Sequence, residues 1–279
     1  MRDNSGSEQA VGFLLELVGE ETAERVRRRI GLAPPERSPV VQRRLMSSWA
    51  RQHVPSSLLL WILEEDDPGL NAVVWRHPGT DEAIRRAIVR GVPFGPGRTG
   101  RVPVDPTLAD QAPPVPESFT RHGLVGALRT AGSMGEGRAA ASMVVERAEW
   151  RVVAEADRER PLPGYARWAL SIRADCPPAL RAQFGSHRKF SHRVRQAGVL
   201  EGGPAEYATA HGPAAQVLKV LSLGHLMFPA RVRAAENALR PLVRDHLGDR
   251  EEAWAVLAQL IDTFHGNAPE LVVTAGAVA

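Results

Sequence analysis

One run of the sequence, from Cys176 to Leu200, carries many cationic side chains and no acidic one. A guanidinium group pairs with phosphate oxygens through two parallel hydrogen bonds, and each neutralised phosphate releases counterions. Phe184 and Phe190 are interleaved with the charges, where they could stack on bases or pack in a core. The alternative is that acidic faces elsewhere, such as residues 146–157, pack alongside this run. Its predicted phosphate-binding residues are Arg181, His187, Arg188, Lys189, His192, Arg193 and Arg195.

Metal and nucleophile chemistry have weaker support in the sequence. His187 and His192 are five residues apart, whereas two ligands on one helix face are usually three or four apart. No carboxylate has a suitable spacing, so we predict neither a metal site nor another cofactor. Cys176 lies between Asp175 and two prolines, and a catalytic thiol would need a nearby base and a lowered pKa. We therefore interpret Cys176 as a structural residue.

The composition bounds the class of protein. The chain of 279 residues is long enough to bury a large core in one domain or two. Its net charge is only +3, and its cations are almost all arginine, as a GC-rich genome produces, so the charge alone does not predict nucleic-acid binding. A single cysteine excludes an internal disulfide. With no apolar run long enough to span a membrane and no leader pattern, we expect no membrane partner and a cytoplasmic location.

The segment Leu58–Gly91 predicts three consecutive helices. Its apolar run ends at Leu63, Asp67 and Pro68 suit a helix start, and His77–Thr80 contains a Pro–Gly break. We expect Thr80 to cap the third helix, whose outer face and carboxyl end carry Arg85, Arg86 and Arg90.

This segment resembles one unit of the irregular α-helical repeats of the HEAT-like and leucine-rich-repeat-variant group. The resemblance rests on Asp66–Pro68, Arg76–Thr80, Glu82, Ile84 and Ile88. It implies a solenoid of helices and no particular activity, since such folds host many functions.

A shift of 110 positions brings the segment into register with residues 168–201, where Pro68 meets Pro178 and Arg85 meets Arg195. This echo predicts a repeated unit. Residues 267–272 form a shorter third echo. If equivalent repeat positions align, Arg85, Arg86 and Arg90 join the predicted binding residues.

The remaining patterns predict an all-α protein of roughly twelve to fifteen short helices, an α-solenoid or α-α superhelix. We expect a disordered N-terminus (1–6), an N-terminal helical-repeat subdomain (7–91), a Pro/Gly-rich linker or loop (92–117) and a C-terminal helical-repeat subdomain (118–279). The GPGRTG piece lacks the Lys-Ser/Thr pair of a phosphate loop. We also predict one long helix over 138–159, a kink or a division into two short helices at Pro241, and a cap at Asp249.

Three functional hypotheses follow. The first is a non-enzymatic scaffold that recognises a protein or peptide partner through a concave helical surface. The second is a nucleic-acid-binding protein that uses residues 181–195. The third is an enzyme whose pocket is built from residues distant in sequence. We favour a protein without catalytic residues.

Overall fold

A computed structural model describes residues 5–34, 38, 46, 49, 52, 54–185 and 197–279. Within these ranges every regular element is a helix and no strand is present, so the all-α prediction is confirmed. No helix in the described ranges is long and apolar enough to cross a membrane. The chain packs as two compact units: unit 1 comprises Met1–Trp49 with Leu200–Ala279, and unit 2 comprises Ala50–Val199.

Most helices in the described ranges have 7 to 13 residues. The first ten are α1 (Ser5–Leu15), α2 (Glu20–Ile30), α3 (Ser56–Leu63), α4 (Pro68–Arg76), α5 (Glu82–Val89), α6 (Glu117–Arg129), α7 (Met134–Ala141), α8 (Arg147–Glu159), α9 (Gly164–Ser171) and α10 (Pro178–Phe184). The others are α11 (Gly203–Ala210), α12 (Ala214–Leu221), α13 (Gly224–Met227), α14 (Pro229–His246), α15 (Glu251–Leu260) and α16 (Ala268–Val278). A 3-10 turn covers Pro106–Leu108.

Unit 1 is built from the two ends of the chain. Helix α1 packs on α12, α11 packs on α14, and α15 packs on α16 and on α2. Phe13, Phe228 and Trp254 are completely or almost completely buried between these helices. Burying each of these aromatic side chains stabilises the fold by about 1.5–3 kcal/mol. Because Phe13 is far in sequence from Phe228 and Trp254, this core joins distant segments of the chain.

Unit 2 has its core where α6, α7, α8, α9 and α10 meet. Trp150 and Trp168 are buried among small and aliphatic side chains there, as core tryptophans are expected to be. Helices α7 and α9 approach closely at Gly137, since a Cβ on that residue would lie 2.7 Å from the Tyr165 carbonyl oxygen. Glycine at this position therefore sets the distance between the two helices.

Local capping differs from prediction at three places. The predicted helix over 138–159 is two helices, because the Glu149 carboxylate accepts the Glu146 backbone N–H at 2.8 Å and starts a new helix there. The cap of α5 is Asp81, whose carboxylate accepts the Ile84 N–H at 2.8 Å, and not Thr80. Helix α15 begins after Arg250 without a side-chain cap, so the cap predicted at Asp249 is wrong.

The structure also describes the residues around Pro241 and those of the third echo. Helix α14 runs through Pro241 as a single element, so the two-helix alternative is wrong. The echo near the C-terminus forms a capped helix start, in which Asn267 accepts the Glu270 N–H at 2.9 Å. Short-range patterns therefore predict individual helix starts, but not every cap or break between helices.

The stretch predicted as a linker at 92–117 lies inside unit 2, and the division of the chain falls near 49 and 200 instead. The stretch is ordered by contacts that its own sequence does not reveal. The buried Asp66 carboxylate accepts the Phe94 N–H at 2.8 Å and the Gly95 N–H at 3.2 Å. The Val102 N–H donates to the Gly91 carbonyl at 2.9 Å. Partners outside the stretch thus compensate for its lack of regular structure.

Candidate functional site

Most of the predicted binding residues in the basic run cannot be placed. His187, Arg188, Lys189, His192, Arg193 and Arg195 lie outside the described residues. The structure places Arg181, Arg85, Arg86 and Arg90, all in unit 2.

Arg181 is half-buried and binds the turn between α9 and α10. Its Nε donates to the Ser171 carbonyl at 3.0 Å, and its Nη2 donates to the Arg173 and Cys176 carbonyls at 2.9 and 3.1 Å. These carbonyls follow the end of a helix and have no intrahelical donor. The Arg181 guanidinium therefore satisfies the backbone of its own turn, which reduces its capacity for phosphate.

Arg85 has an equivalent role in the turn between α4 and α5. Its Nε donates to the Trp75 carbonyl at 3.1 Å and its Nη2 to the His77 carbonyl at 3.3 Å. The guanidinium carbon also lies 5.6 Å from the centroid of the Trp75 ring, a cation–π distance.

Arg86 is almost completely buried, with 2% of its surface exposed. Its Nε donates to the Ser142 carbonyl at 3.2 Å, and its two terminal nitrogens donate to the Pro113 and Pro114 carbonyls at 3.0 and 3.1 Å. Burial lowers the pKa of Arg86, and the nearby Arg90 lowers it further. Arg86 therefore attaches the 106–116 stretch to α5 and is not available to a partner molecule.

Arg90 is the one described member of the predicted set that is exposed. It ends α5, and its carbonyl accepts a hydrogen bond from Arg101. Arg147 donates to the Gly95 carbonyl at 3.3 Å, and the exposed Arg98 lies in the same turn. We call the four exposed arginines Arg90, Arg98, Arg101 and Arg147 the Arg90 surface.

Sequence reasoning missed three members of the Arg90 surface. Arg98 and Arg101 belong to the stretch predicted as a linker, and Arg147 was placed inside a long helix. The short spacing of Arg98 and Arg101 was visible in the sequence, but their closeness to Arg90 and Arg147 arises only through backbone contacts of the folded loop.

Cys176 is buried, with 2% of its surface exposed. Burial, above all, raises the pKa of its thiol to about 12, so almost no thiolate forms at neutral pH. In the described part of the chain, no three His, Cys, Asp or Glu side chains are grouped as a metal would need.

A concave feature lies on unit 1 between α2 and α15. Its volume is about 430 Å³, and it is open to solvent on one side. The lining residues are Arg29, Ile30, Ala255, Ala258 and Gln259. We call this feature the α2–α15 groove.

The groove lies where α2 packs on α15. Arg25 and Glu251 form an ion pair at 3.7 Å near the start of α15. The small side chains of Ala255 and Ala258 line the groove from α15. The result is a floor of small apolar groups beside an exposed guanidinium, that of Arg29.

A comparison of the chain with protein-family models, curated proteins and solved structures found no match in any of the three. The observations thus define a class only: an all-α protein of two helical units, with arginine side chains that stabilise interhelical turns.

Proposed function

We propose that this protein is a non-enzymatic binding scaffold that recognises a protein or peptide partner through the α2–α15 groove. The observation that carries the proposal is the groove itself, which is concave, has an apolar floor and contains a guanidinium at its edge. Ligand sites commonly combine an apolar surface with a few polar groups that fix orientation. The inaccessible thiol of Cys176 excludes that residue as a nucleophile.

The partner's chemistry follows from the lining. Within the described residues Arg29 forms no ion pair, and it is exposed beside Ile30. An acidic residue of the partner would pair with Arg29, while an adjacent apolar side chain would cover Ala255 and Ala258. A short amphipathic acidic segment fits both requirements, in the manner of a peptide helix laid in a groove.

We further propose that the helices form irregular HEAT-like repeats. The support is the arginine-bound turn that occurs twice, at Arg85 and at Arg181, each between a pair of short helices. Stacked helix pairs of this kind present extended surfaces to partners. The cytoplasmic location expected from the sequence remains part of the proposal, and cell fractionation would test it.

Peptide selection tests the groove. A displayed random peptide library is selected on the full chain, and enriched peptides are synthesised and titrated by calorimetry. We expect acidic, partly apolar peptides, with affinity reduced about tenfold or more by Arg29→Glu and by Ala258→Glu, since one lost charged contact is worth about 1.5–3 kcal/mol.

Ala234→Glu, at an exposed position on α14 of the same unit, is the matched control and leaves binding unchanged. Circular dichroism confirms that each variant is folded. The proposal is wrong if no peptide is enriched, or if the enriched peptides bind both groove variants as tightly as they bind the original chain.

Nucleic-acid binding by unit 2 is the second candidate, and uneven charge favours it. Unit 2 has 21 Lys and Arg against 16 Asp and Glu, a net charge of +5, whereas unit 1 has 14 against 16, a net charge of −2. A gel shift at increasing salt tests this candidate, because phosphate contacts weaken steeply as salt rises. Absence of binding at low salt would exclude it.

A further inference from the structure

The Arg90 surface is a second cationic feature, on unit 2, and is independent of the groove. All four of its arginines are exposed. Arg101 donates to the Arg90 carbonyl and Arg147 donates to the Gly95 carbonyl, so the loop between α5 and α6 connects these positions. The loop is held by the Asp66 carboxylate and by the Val102–Gly91 hydrogen bond. Because these contacts fix the backbone, less conformational entropy is lost when a ligand binds.

Two carboxylates neutralise part of this surface. Arg98 Nη1 lies 3.8 Å from the buried Asp66 Oδ2, and Arg101 Nη2 lies 2.9 Å from Glu146 Oε1. Within the described residues, Arg90 and Arg147 face no carboxylate in an ion pair. The surface therefore retains an excess of two positive charges, which matches a compact dianion.

The small excess of positive charge favours a small anionic ligand. A nucleic-acid strand carries a charge at each of many successive phosphates, and its affinity comes from neutralising several of them. Two uncompensated cations on the Arg90 surface match the charge of a single phosphate group on a short segment.

We propose that the Arg90 surface binds the phosphate group of a phosphorylated serine or threonine side chain on a partner protein. Such a group carries a charge of about −1.5 to −2 and three strong acceptor oxygens. Guanidinium forks pair bidentately with phosphate oxygens, so Arg90 and Arg147 supply the two uncompensated cations while Arg98 and Arg101 line the surface.

Fluorescence anisotropy with defined peptides tests this. The probe is a labelled glycine- and alanine-rich peptide with one phosphoserine, compared with its serine and aspartate twins and with a single-stranded oligothymidine. We expect the phosphopeptide to bind at least about tenfold more tightly than either twin, and inorganic phosphate to compete. We expect Arg90→Gln and Arg147→Gln each to weaken binding of the phosphopeptide several-fold.

Arg160→Gln is the matched control, because Arg160 is exposed just beyond the opposite end of the helix that begins at Arg147. The Arg90 side chain donates to no carbonyl in the described part of the chain, so the effect of Arg90→Gln does not depend on loop packing. Equal binding of the phosphopeptide and its serine twin would overturn the proposal. The proposal would also be overturned if Arg90→Gln and Arg147→Gln both left phosphopeptide binding unchanged, or if the oligothymidine bound more tightly than the phosphopeptide.

Discussion

Arg85 and Arg181 make the same pair of hydrogen bonds in two separate turns. Each donates through Nε to the carbonyl ten residues earlier and through Nη2 to the carbonyl eight residues earlier. The two arginines are 96 positions apart, whereas the sequence echo has an offset of 110 and pairs Arg85 with Arg195, which lies outside the described residues. The 96-residue offset therefore relates α4 and α5 to α9 and α10 by a shared side-chain contact.

These shared contacts predict a stability effect. Arg181→Lys keeps the positive charge but loses the planar fork that reaches several carbonyls at once. We expect the free energy of unfolding to fall by about 1–3 kcal/mol, as for buried carbonyls left without donors. Urea denaturation followed by circular dichroism measures it. Arg160→Lys, at an exposed site, serves as the control, and an equal loss in both variants would show that the carbonyl contacts are not responsible.

The arginines also show where sequence reasoning reached its limit. The helix start at Pro68 and the break over His77–Thr80 were predicted because proline and its neighbours restrict the local backbone. The helical class followed from the same short-range patterns. Such patterns act over a few residues, so sequence alone can detect them.

The partner of a guanidinium is a tertiary property. Nothing near Arg86 in the sequence indicates that it binds carbonyls at 113, 114 and 142, or that Arg90, four residues later, is exposed. Likewise, Asp66 orders the 92–102 stretch from about thirty residues away. The predicted site therefore contained arginines of two kinds, and only the folded chain separates them.

A buried carboxylate predicts how stability depends on pH. The Asp157 side chain is buried, and its desolvation alone would raise its pKa. Hydrogen bonds from Arg167 at 2.8 and 2.9 Å and from the Leu162 N–H at 2.8 Å outweigh this, so the pKa lies below its usual range. The folded state then favours the ionised form, and its stabilisation is present above the unfolded-state pKa and lost as pH falls through the folded-state value.

We therefore expect the free energy of unfolding to be nearly constant from about pH 7 to pH 5 and to decline below about pH 4. Asp157→Asn should cost about 3 kcal/mol at neutral pH, because it leaves the Arg167 charge without its partner. It should also make the acid decline shallower. Urea titrations between pH 3 and pH 7 measure both effects, and an unchanged acid slope in the variant would assign the decline to other carboxylates.

Gly95 predicts a position-specific effect in the loop that carries the Arg90 surface. A Cβ there would lie 2.6 Å from Asp66 Oδ2, a separation that real side chains do not adopt. Gly95→Ala should displace the Asp66 carboxylate and release the Phe94 N–H. Hydrogen exchange over residues 92–102 should then become faster. Gly100→Ala is the matched control, since a Cβ on Gly100 would meet no atom within 4 Å. Equal exchange rates in the two variants would contradict the proposed role of Asp66.

The thiol of Cys176 provides a test of folding that needs no known partner. Its pKa of about 12 and its burial together predict very slow alkylation of the native protein, since the thiolate is the reactive form and is rare at pH 8. In denaturant the thiol is exposed and its pKa returns to about 8.5, so alkylation by iodoacetamide should become faster by several orders of magnitude.

Mass spectrometry of timed samples measures both rates. Because Cys176 is the one cysteine of the chain, every alkylated molecule reports this site. Rapid alkylation of the native protein at pH 8 would show that the turn between α9 and α10 opens readily, and that Arg181 does not hold it closed.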